Sequence, residues 1–224
     1  MSVSVIIPTW NEADTIAETI RSLREQGPHE IIIVDGGSTD ATRQAAAGAD
    51  RVIVAPAGRA SQMNAGAGLA SGDHLLFLHA DCRLERGALD AVERAMARPG
   101  ILAGCFAMRV AADGWGFRSI DACATARVRW TGIAYGDQGL FLRRTDFERL
   151  GGFPLLRFME DVFFSRMLAA RGKVVVVKKR IYVSARRWQK IGLMRQTARN
   201  WALTALALGG VAPDRLAEYY PRVR

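Results

Sequence analysis

The run LFLHAD, residues 76–81, is apolar until it ends in His79 and Asp81. This pattern is typical of a buried strand with polar side chains just beyond its end. In open α/β sheets, residues at the carboxyl ends of strands line the crevice in which ligands bind. A single aspartate at such a place more often caps a helix or opens a turn. Asp81 is therefore a candidate site residue whose role depends on the rest of the chain.

Two further acidic segments also follow predicted strands. PTWNE covers residues 8–12, directly after the first strand, and VDGGSTD covers residues 34–40, at the end of the second. One such motif is a weak signal, whereas three in this order are specific. The three segments together predict a site at one edge of a sheet.

The first half of the chain alternates short β-branched runs with helical patterns. This alternation is typical of a parallel sheet with crossover helices. After Pro99 the pattern changes and indicates a mixed sheet. The predicted strands are residues 3–7, 31–34, 52–54, 74–78, 105–110, 139–142 and 174–177. Helices are predicted after the first and second strands, capped by Asn11 and by Ser38 or Asp40, and a third at about 60–70.

Length and composition favour one domain with an extension. The chain has 224 residues, of which 50% are apolar, enough to build a sizeable core. No low-complexity segment or linker interrupts it. We predict a domain over residues 1–183, with halves at 1–99 and 100–183, and a basic helical extension at 184–224 that packs on the same domain.

The charge of the chain favours an anionic partner. A net charge of +9 and a pI near 10.2 suit nucleic acid, anionic lipid or a nucleotide diphosphate. The apolar run 201–213 is shorter than the ~18 residues that a membrane span needs. Arg195 and Arg199 would share a helix face, but Lys190 would not. We therefore predict that this helix packs into the core and does not form an amphipathic membrane stripe.

Several classes of protein are disfavoured by what the sequence lacks. The N-terminus has neither the charged region nor the long apolar region of a signal peptide, so a cytoplasmic location is expected. Cys82, Cys105 and Cys123 are odd in number and widely spaced, and we expect reduced thiols without a zinc site. The turn after the first strand has no glycine, which argues against a dinucleotide-binding dehydrogenase.

The segments PTWNE, VDGGSTD and LHAD occur here together with LGGF at residues 150–153 and MEDVFF at 159–164. With this set of motifs the chain resembles the family-2 glycosyltransferases. The resemblance covers about residues 3–183 and implies an α/β protein with the GT-A nucleotide-diphospho-sugar transferase fold. The first half would then bind the donor, and the second half would bind the acceptor and carry out catalysis. The donor implied is a UDP- or GDP-sugar. Its hydroxyls, ring N–H groups and diphosphate would need carboxylates and a cation.

The resemblance assigns residues to the donor. Its first donor-binding turn matches Pro8, Thr9 and Glu12, and its base-reading aspartate matches Asp35. The family usually has a second acid after that aspartate, where this chain has Gly36. Related proteins also place groups near the nucleotide at the positions of Arg59, Gln62 and Asn64. For Arg59, a solvated arginine at a helix start is an equal alternative.

The segment His79-Ala80-Asp81 occupies the place of the family's D-x-D motif. In that pattern the second acid ligates Mg²⁺ or Mn²⁺, so Asp81 is the predicted metal ligand. The first acid, which holds ribose or sugar, is replaced by His79. Imidazole can bind a hydroxyl or ligate Mn²⁺ but is a poorer ligand than carboxylate for Mg²⁺.

The resemblance also places the catalytic acids. Glu160-Asp161 matches the family's E-D pair, whose second residue is the general base of an inverting transfer. Asp161 is therefore the predicted base, and Glu160 would hold the acceptor or substitute as base. Arg186 or Arg187 would contact the diphosphate. Ser184 stands where processive members have glutamine, so we expect transfer of a single sugar.

Other functions stay open at this point. A sugar-phosphate nucleotidyltransferase would need a glycine-rich loop after the first strand, and a basic nucleic-acid or anionic-surface binding module would need exposed aromatic residues among the basic ones. The acceptor is not identified by the sequence. A lipid-linked acceptor and a peripheral contact with the inner face of a membrane are left open, and no specific nucleic acid is expected.

Overall fold

The computed structural model describes residues 2–220. The strands of this part of the chain form one mixed sheet. Its eight strands are β1 (Val3–Thr9), β2 (Glu30–Asp35), β3 (Arg51–Val54), β4 (His74–Phe77), β5 (Arg83–Leu84), β6 (Ile101–Val110), β7 (Phe141–Arg143) and β8 (Lys173–Val183). They lie in the order β3-β2-β1-β4-β7-β6-β8-β5.

The strands β3, β2, β1 and β4 are parallel, as the sequence predicted for the first half. All six residues of β2 are buried, which is typical of a parallel strand that is covered on both faces. The second half is mixed. Strand β7 is antiparallel to β4 and β6, β6 is parallel to β8, and β5 is antiparallel to β8.

Helices cover both faces of this sheet. They are α1 (Ala13–Arg24), α2 (Thr42–Ala45), α3 (Arg59–Leu69), α4 (Ala88–Met96), α5 (Trp115–Thr131), α6 (Arg144–Arg149), α7 (Glu160–Arg171), α8 (Arg186–Ile191), α9 (Leu193–Leu208) and α10 (Pro213–Ala217), with a 3-10 turn at Gly136–Gln138. Alternate residues of β1 serve the two faces: Ile7 packs with α1 and α4, and Ile6 packs with α3 and α7.

The extension contacts the rest of the domain through a third apolar cluster. Leu203 and Ala207 of α9 pack there with Leu216 of α10 against Phe158 and Val162. Residues 221–224 of the predicted extension lie outside the described residues. Within the described part of the chain, no helix has the length and apolar character that crossing a bilayer would require.

The prediction that α9 packs into the core is wrong. Its buried residues are Gln196, Leu203 and Ala207, while Trp201 is 58% exposed and Met194 is 77% exposed. The helix therefore lies on the surface with one side against the domain. The apolar residues of α9 occur all around the helix, so the sequence does not show which side packs against the domain. That side is set by residues from distant parts of the chain.

Candidate active site

An open pocket lies beyond the end of β4, and it gathers about half of the residues named from the sequence. Five of the predicted site residues line it: Arg59, His79, Asp81, Asp161 and Arg187. They come from α3, the end of β4, α7 and α8. The pocket therefore joins the two halves of the domain and the extension.

Asp81 stands in a bend just after β4. The hydroxyl of Thr19 donates a hydrogen bond of 2.6 Å to the carbonyl of Ala80 and holds this bend against α1. The carboxylate is 29% exposed, and its Oδ2 lies 3.8 Å from Nη2 of Arg186. Asp81 therefore faces the pocket with one cation at the edge of ion-pair distance.

His79 lies deeper, against the 3-10 turn. Burial, and next the charge of Arg59, lower the pKa of His79 to about 4, so its imidazole is neutral at pH 7. A Cβ atom placed on Gly136 would lie 2.8 Å from Nε2 of His79 and 2.9 Å from Oδ2 of Asp161. Only glycine leaves room for both side chains at this point.

Asp161 lies in the first turn of α7, a favourable place for a carboxylate near the positive end of the helix. Its Oδ2 accepts a hydrogen bond of 2.5 Å from the backbone N–H of Gly136, and its Oδ1 accepts one of 2.8 Å from its neighbour Val162. Met159, just before the helix, has a φ of 61°, a backbone conformation that residues other than glycine rarely adopt. The start of α7 is thus held in a fixed position beside the turn.

Glu160 is turned away from the open pocket into an ion pair with Arg59. The two Arg59–Glu160 contacts are 2.7 Å from Nε to Oε1 and 3.3 Å from Nη2 to Oε2, and Glu160 is 2% exposed. The charge of Glu160 raises the pKa of Arg59, so the guanidinium stays charged. This pair ties the start of α3 to the start of α7 and leaves Asp161 as the acid of the two that lines the open pocket.

Thr9 and Asp35, which the resemblance assigned to the nucleotide-sugar donor, lie outside this pocket. Thr9 is 1% exposed and Asp35 is fully buried. The carboxylate of Asp35 accepts hydrogen bonds from the backbone N–H groups of Gly37, at 3.1 Å, and Ser38, at 2.9 Å, and from the Ser38 hydroxyl. Asp35 therefore stabilises its own turn in this structure.

Gln62 explains the missing second acid at Gly36. Its amide donates hydrogen bonds of 2.8 Å and 2.7 Å to the carbonyls of Thr9 and Val34, at the ends of β1 and β2. A Cβ on Gly36 would lie 3.0 Å from the Gln62 Oε1. The side chain of Gln62 thus occupies the space next to Gly36.

Pro8, Glu12 and Asn64 also lie outside the pocket. Pro8 is within β1, in register with Val34, and the N–H of Glu12 donates a 2.7 Å bond to the Thr42 hydroxyl. The amide of Asn64 makes two 2.9 Å bonds to the backbone of Phe153. Asn64 therefore fixes the LGGF turn to α3, where the sequence had placed it near the nucleotide.

Asp137 is an acidic lining residue that sequence reasoning missed. Its Oδ1 is buried and has no hydrogen-bond partner among residues 2–220. Burial raises the pKa of Asp137 to about 6. The segment GDQ carries no motif that we could interpret from the sequence. Its position beside His79 arises only when the chain folds.

The extension supplies one wall of the pocket, which the sequence also did not reveal. Arg187 lies 4.6 Å from the ring centre of Tyr220, and its Nη1 is buried without a hydrogen-bond partner in the described structure. Thr204 of α9 makes a 2.8 Å hydrogen bond to the Tyr135 hydroxyl. Polar residues of one face of α9 complete this wall: Gln196, Asn200 and Thr204.

A parallel β3-β2-β1-β4 block followed by a mixed half, with acids at the strand ends, defines the GT-A class of nucleotide-diphospho-sugar transferases. Solved GT-A structures are similar to this chain. The mannosyltransferase PcManGT from Pyrobaculum calidifontis, solved with GDP-Man and Mn²⁺, has a TM-score of 0.68 at 23% identity and covers 96% of this chain and 68% of its own. Glucosyl-3-phosphoglycerate synthase from Mycobacterium tuberculosis, solved with Mn²⁺, UDP and phosphoglyceric acid, has a TM-score of 0.60 at 20% identity over 94% of this chain and 79% of its own.

The chain belongs to glycosyl transferase family 2, whose profile matches residues 4–162. Among curated relatives, glycosyltransferase AglJ from Haloferax volcanii is 42% identical over 57 residues, which are 25% of this chain and 19% of AglJ. A PGL/p-HBAD biosynthesis glycosyltransferase from Mycobacterium tuberculosis is 40% identical over 88 residues, 35% of this chain and 34% of that protein. The matches thus span about a third or less of these relatives.

Proposed function

We propose that this chain transfers a single sugar from a UDP- or GDP-sugar to an acceptor hydroxyl with inversion at the anomeric carbon. One observation carries the proposal: Asp81 and Asp161 line the same pocket as Arg59, Arg186 and Arg187, beyond the carboxyl end of β4. Acids that bind a cation and a proton, beside arginines that bind phosphate, suit a diphosphate leaving group and a hydroxyl nucleophile.

The arginines of α8 support donor binding. Arg187 has a buried Nη1 without a partner among the described residues, and buried N–H groups in proteins are nearly always paired. A phosphate oxygen of the donor would pair with it. The similar structures solved with GDP-Man, and S. aureus TarS solved with UDP-GlcNAc, support a nucleotide sugar of one of these two bases.

The residues present fit a divalent cation that the protein and the donor hold together. No three His, Cys, Asp or Glu residues within residues 2–220 are arranged to hold a metal ion. Mg²⁺ and similar ions are commonly bound by one or two carboxylates and by substrate phosphates. Asp81 would supply a carboxylate here, and the imidazole of His79 would contact the donor beside it. When bound, the cation would stabilise negative charge on the departing diphosphate.

Asp161 is our proposed general base. The acceptor hydroxyl would give its proton to this carboxylate while its oxygen attacks the anomeric carbon, and the bond from that carbon to the diphosphate breaks. Hydrogen bonds from the backbone N–H groups of Gly136 and Val162 hold the Asp161 carboxylate in place at the wall of the pocket. Glu160 would position Arg59 and, through it, the start of α7.

The test separates chemistry from donor binding. Asp161→Asn keeps the shape of the side chain but cannot accept the proton. We expect transfer or slow donor hydrolysis to fall on the order of a hundred- to ten-thousand-fold, with donor affinity nearly unchanged. Asp113→Asn, on the exposed surface, is the matched control. Near-parental turnover of Asp161→Asn together with loss in Glu160→Gln would identify Glu160 as the base.

Two other proposed functions fit the structure less well. A nucleotidyltransferase would need a glycine-rich loop after β1, where this chain has PTWNE. A nucleic-acid module would need salt-sensitive binding to a basic aromatic surface. Filter binding of RNA and DNA across a salt titration tests the second, and we expect no sequence-selective binding at high salt.

We also propose that the extension makes a peripheral contact with anionic lipid, which would bring a lipid-linked acceptor to the pocket. The outer side of α9 carries exposed Met194, Trp201 and Leu206, and its inner side lines the pocket. Residues 184–213 contain no acid. Vesicle sedimentation should show binding to anionic and not to neutral lipid, weakened by salt and by Trp201→Ser. Equal sedimentation with both lipids would contradict this contact.

A further inference from the structure

The 3-10 turn Gly136–Gln138 packs directly against the position where this chain departs from its family. As described above, the backbone of Gly136 lies so close to His79 and Asp161 that a Cβ there would fall within 3 Å of both side chains. The next residue, Asp137, lines the same pocket as His79 and Asp81. The turn therefore delivers a carboxylate to the neighbourhood in which the family's first D-x-D acid is missing.

One oxygen of the Asp137 carboxylate has no hydrogen-bond partner within residues 2–220. This atom, Oδ1, is buried. Arg127 is a candidate counter-ion, but its guanidinium bonds to Gln138 and to the carbonyl of Ile133 and lies 3.3 Å from the ring centre of Tyr135. A buried carboxylate oxygen left in this state is costly unless a ligand or ion satisfies it.

Asp137 and Asp81 line the same pocket, and Gly136, next to Asp137, packs against His79, two residues before Asp81. Two carboxylates that line one pocket can bind the same cation together with the phosphates of a substrate.

We propose that Asp137 supplies a second carboxylate to the divalent cation held by Asp81, and so replaces the acid that this chain lacks at His79. The inference rests on the proposed function, because the donor diphosphate would complete the coordination. In this proposal the GDQ turn supplies a ligand of the cation, and His79 packs against Gly136 and contacts the donor.

The experiment measures Mn²⁺ itself. Free Mn²⁺ gives an electron paramagnetic resonance signal that is lost on binding, so its affinity can be titrated with UDP present and without turnover. We expect Asp137→Asn and Asp81→Asn each to weaken Mn²⁺ binding at least about tenfold, because either change removes a charged oxygen ligand. Asp113→Asn should bind Mn²⁺ like the parent. Thermal unfolding of each variant checks that it is folded.

A second variant tests the replacement directly. In Asp137→Asn combined with His79→Asp, a carboxylate is returned to the family's position, and Mn²⁺ affinity should recover toward the parental value. Loss of affinity in Asp81→Asn with parental affinity in Asp137→Asn would overturn this inference and leave the proposed function intact. Parental affinity in both variants would instead remove the metal from the proposed function. Failure of the double variant to recover, although folded, would also overturn the replacement.

Discussion

Asp35 and Asp137 are both acids in turns near the same edge of the sheet, and they differ in what satisfies their oxygens. Asp35 is fully buried and accepts three hydrogen bonds from its own turn. Asp137 is partly buried, lines a pocket and keeps an oxygen without a partner among the described residues. An acid whose oxygens are satisfied locally holds the backbone, whereas one with an unsatisfied oxygen at a pocket is available to a ligand.

The same contrast applies to the other predicted site residues. Asn64 and Glu160 have their polar atoms committed to Phe153 and Arg59. The Asp81 side chain is 29% exposed, and one arginine lies at the edge of ion-pair distance from its carboxylate. Residue type and spacing therefore indicate where the site is, but the hydrogen-bond partners decide which side chains there can bind a substrate.

The largest expected effect is the loss of turnover in Asp161→Asn, because this change removes the proposed general base.

The second largest expected effect is on the stability of the turn that Asp35 holds. Asp35→Ala would leave three donors without their acceptor, two of them on buried Ser38, and we expect a loss of roughly 2–4 kcal/mol in the free energy of unfolding. Asp81→Ala, at a half-exposed strand end, should change it by less than about 0.5 kcal/mol. Urea denaturation of both variants measures the difference.

Asp35→Asn is the second variant for this comparison, because it keeps one acceptor oxygen and the size of the side chain. It should lose less stability than Asp35→Ala. If Asp35→Ala and Asp81→Ala were equally stable, the hydrogen bonds of the Asp35 turn would not be holding the structure.

The packing of Gly136 gives the next effect. Gly136→Ala would push a Cβ into His79 and Asp161, and a displacement of catalytic groups by about 1 Å can cost on the order of a hundredfold in rate. Gly68→Ala is the matched control, because it lies within α3 and a Cβ there meets nothing within 4 Å. It should keep full activity and gain up to about 1 kcal/mol of stability. Equal activity of the two variants would contradict the crowded geometry.

The regular part of the fold was predictable because its signals are local. The run Ile31–Val34 is apolar on both sides and forms a buried parallel strand, and the helix predicted at about 60–70 is α3 at Arg59–Leu69. Family motifs also located the pocket, through Asp81 and Asp161. These features depend on residues close together in sequence or on a pattern already known.

The rest depends on contacts between distant residues. Gly136, next to Asp137, packs against His79 from more than fifty residues away in the sequence, and nothing in GDQ itself indicates that approach. Helix α5 was not predicted at all, and α9 was assigned to the core because its apolar residues run around the helix. In each case the partner surface decides which side chains are buried, and that surface is built by tertiary packing.

His74 gives the smallest expected effect and tests the limit of the comparison. Like Asp137, it has a buried atom without a partner among residues 2–220, Nδ1, but His74 lies at the start of β4 and does not line the pocket. Burial lowers its pKa from 6.5, so the native state disfavours its charged form. An unpaired atom away from a pocket should affect stability alone.

The sign of the pH effect follows from this lowered pKa. As pH falls through about 6.5, the unfolded chain takes up a proton at His74 that the native state resists, so the free energy of unfolding should decrease. His74→Gln should remove part of this decrease, with the remainder due to groups such as His79, whose pKa is also lowered. Urea titrations between pH 7.5 and 5.5, with His29→Gln on the surface as control, measure the slope. A slope in His74→Gln equal to that of the parent would mean that His74 is protonated as readily in the native state as in the unfolded chain, and an altered Mn²⁺ affinity would mean that its unpaired atom does influence the site.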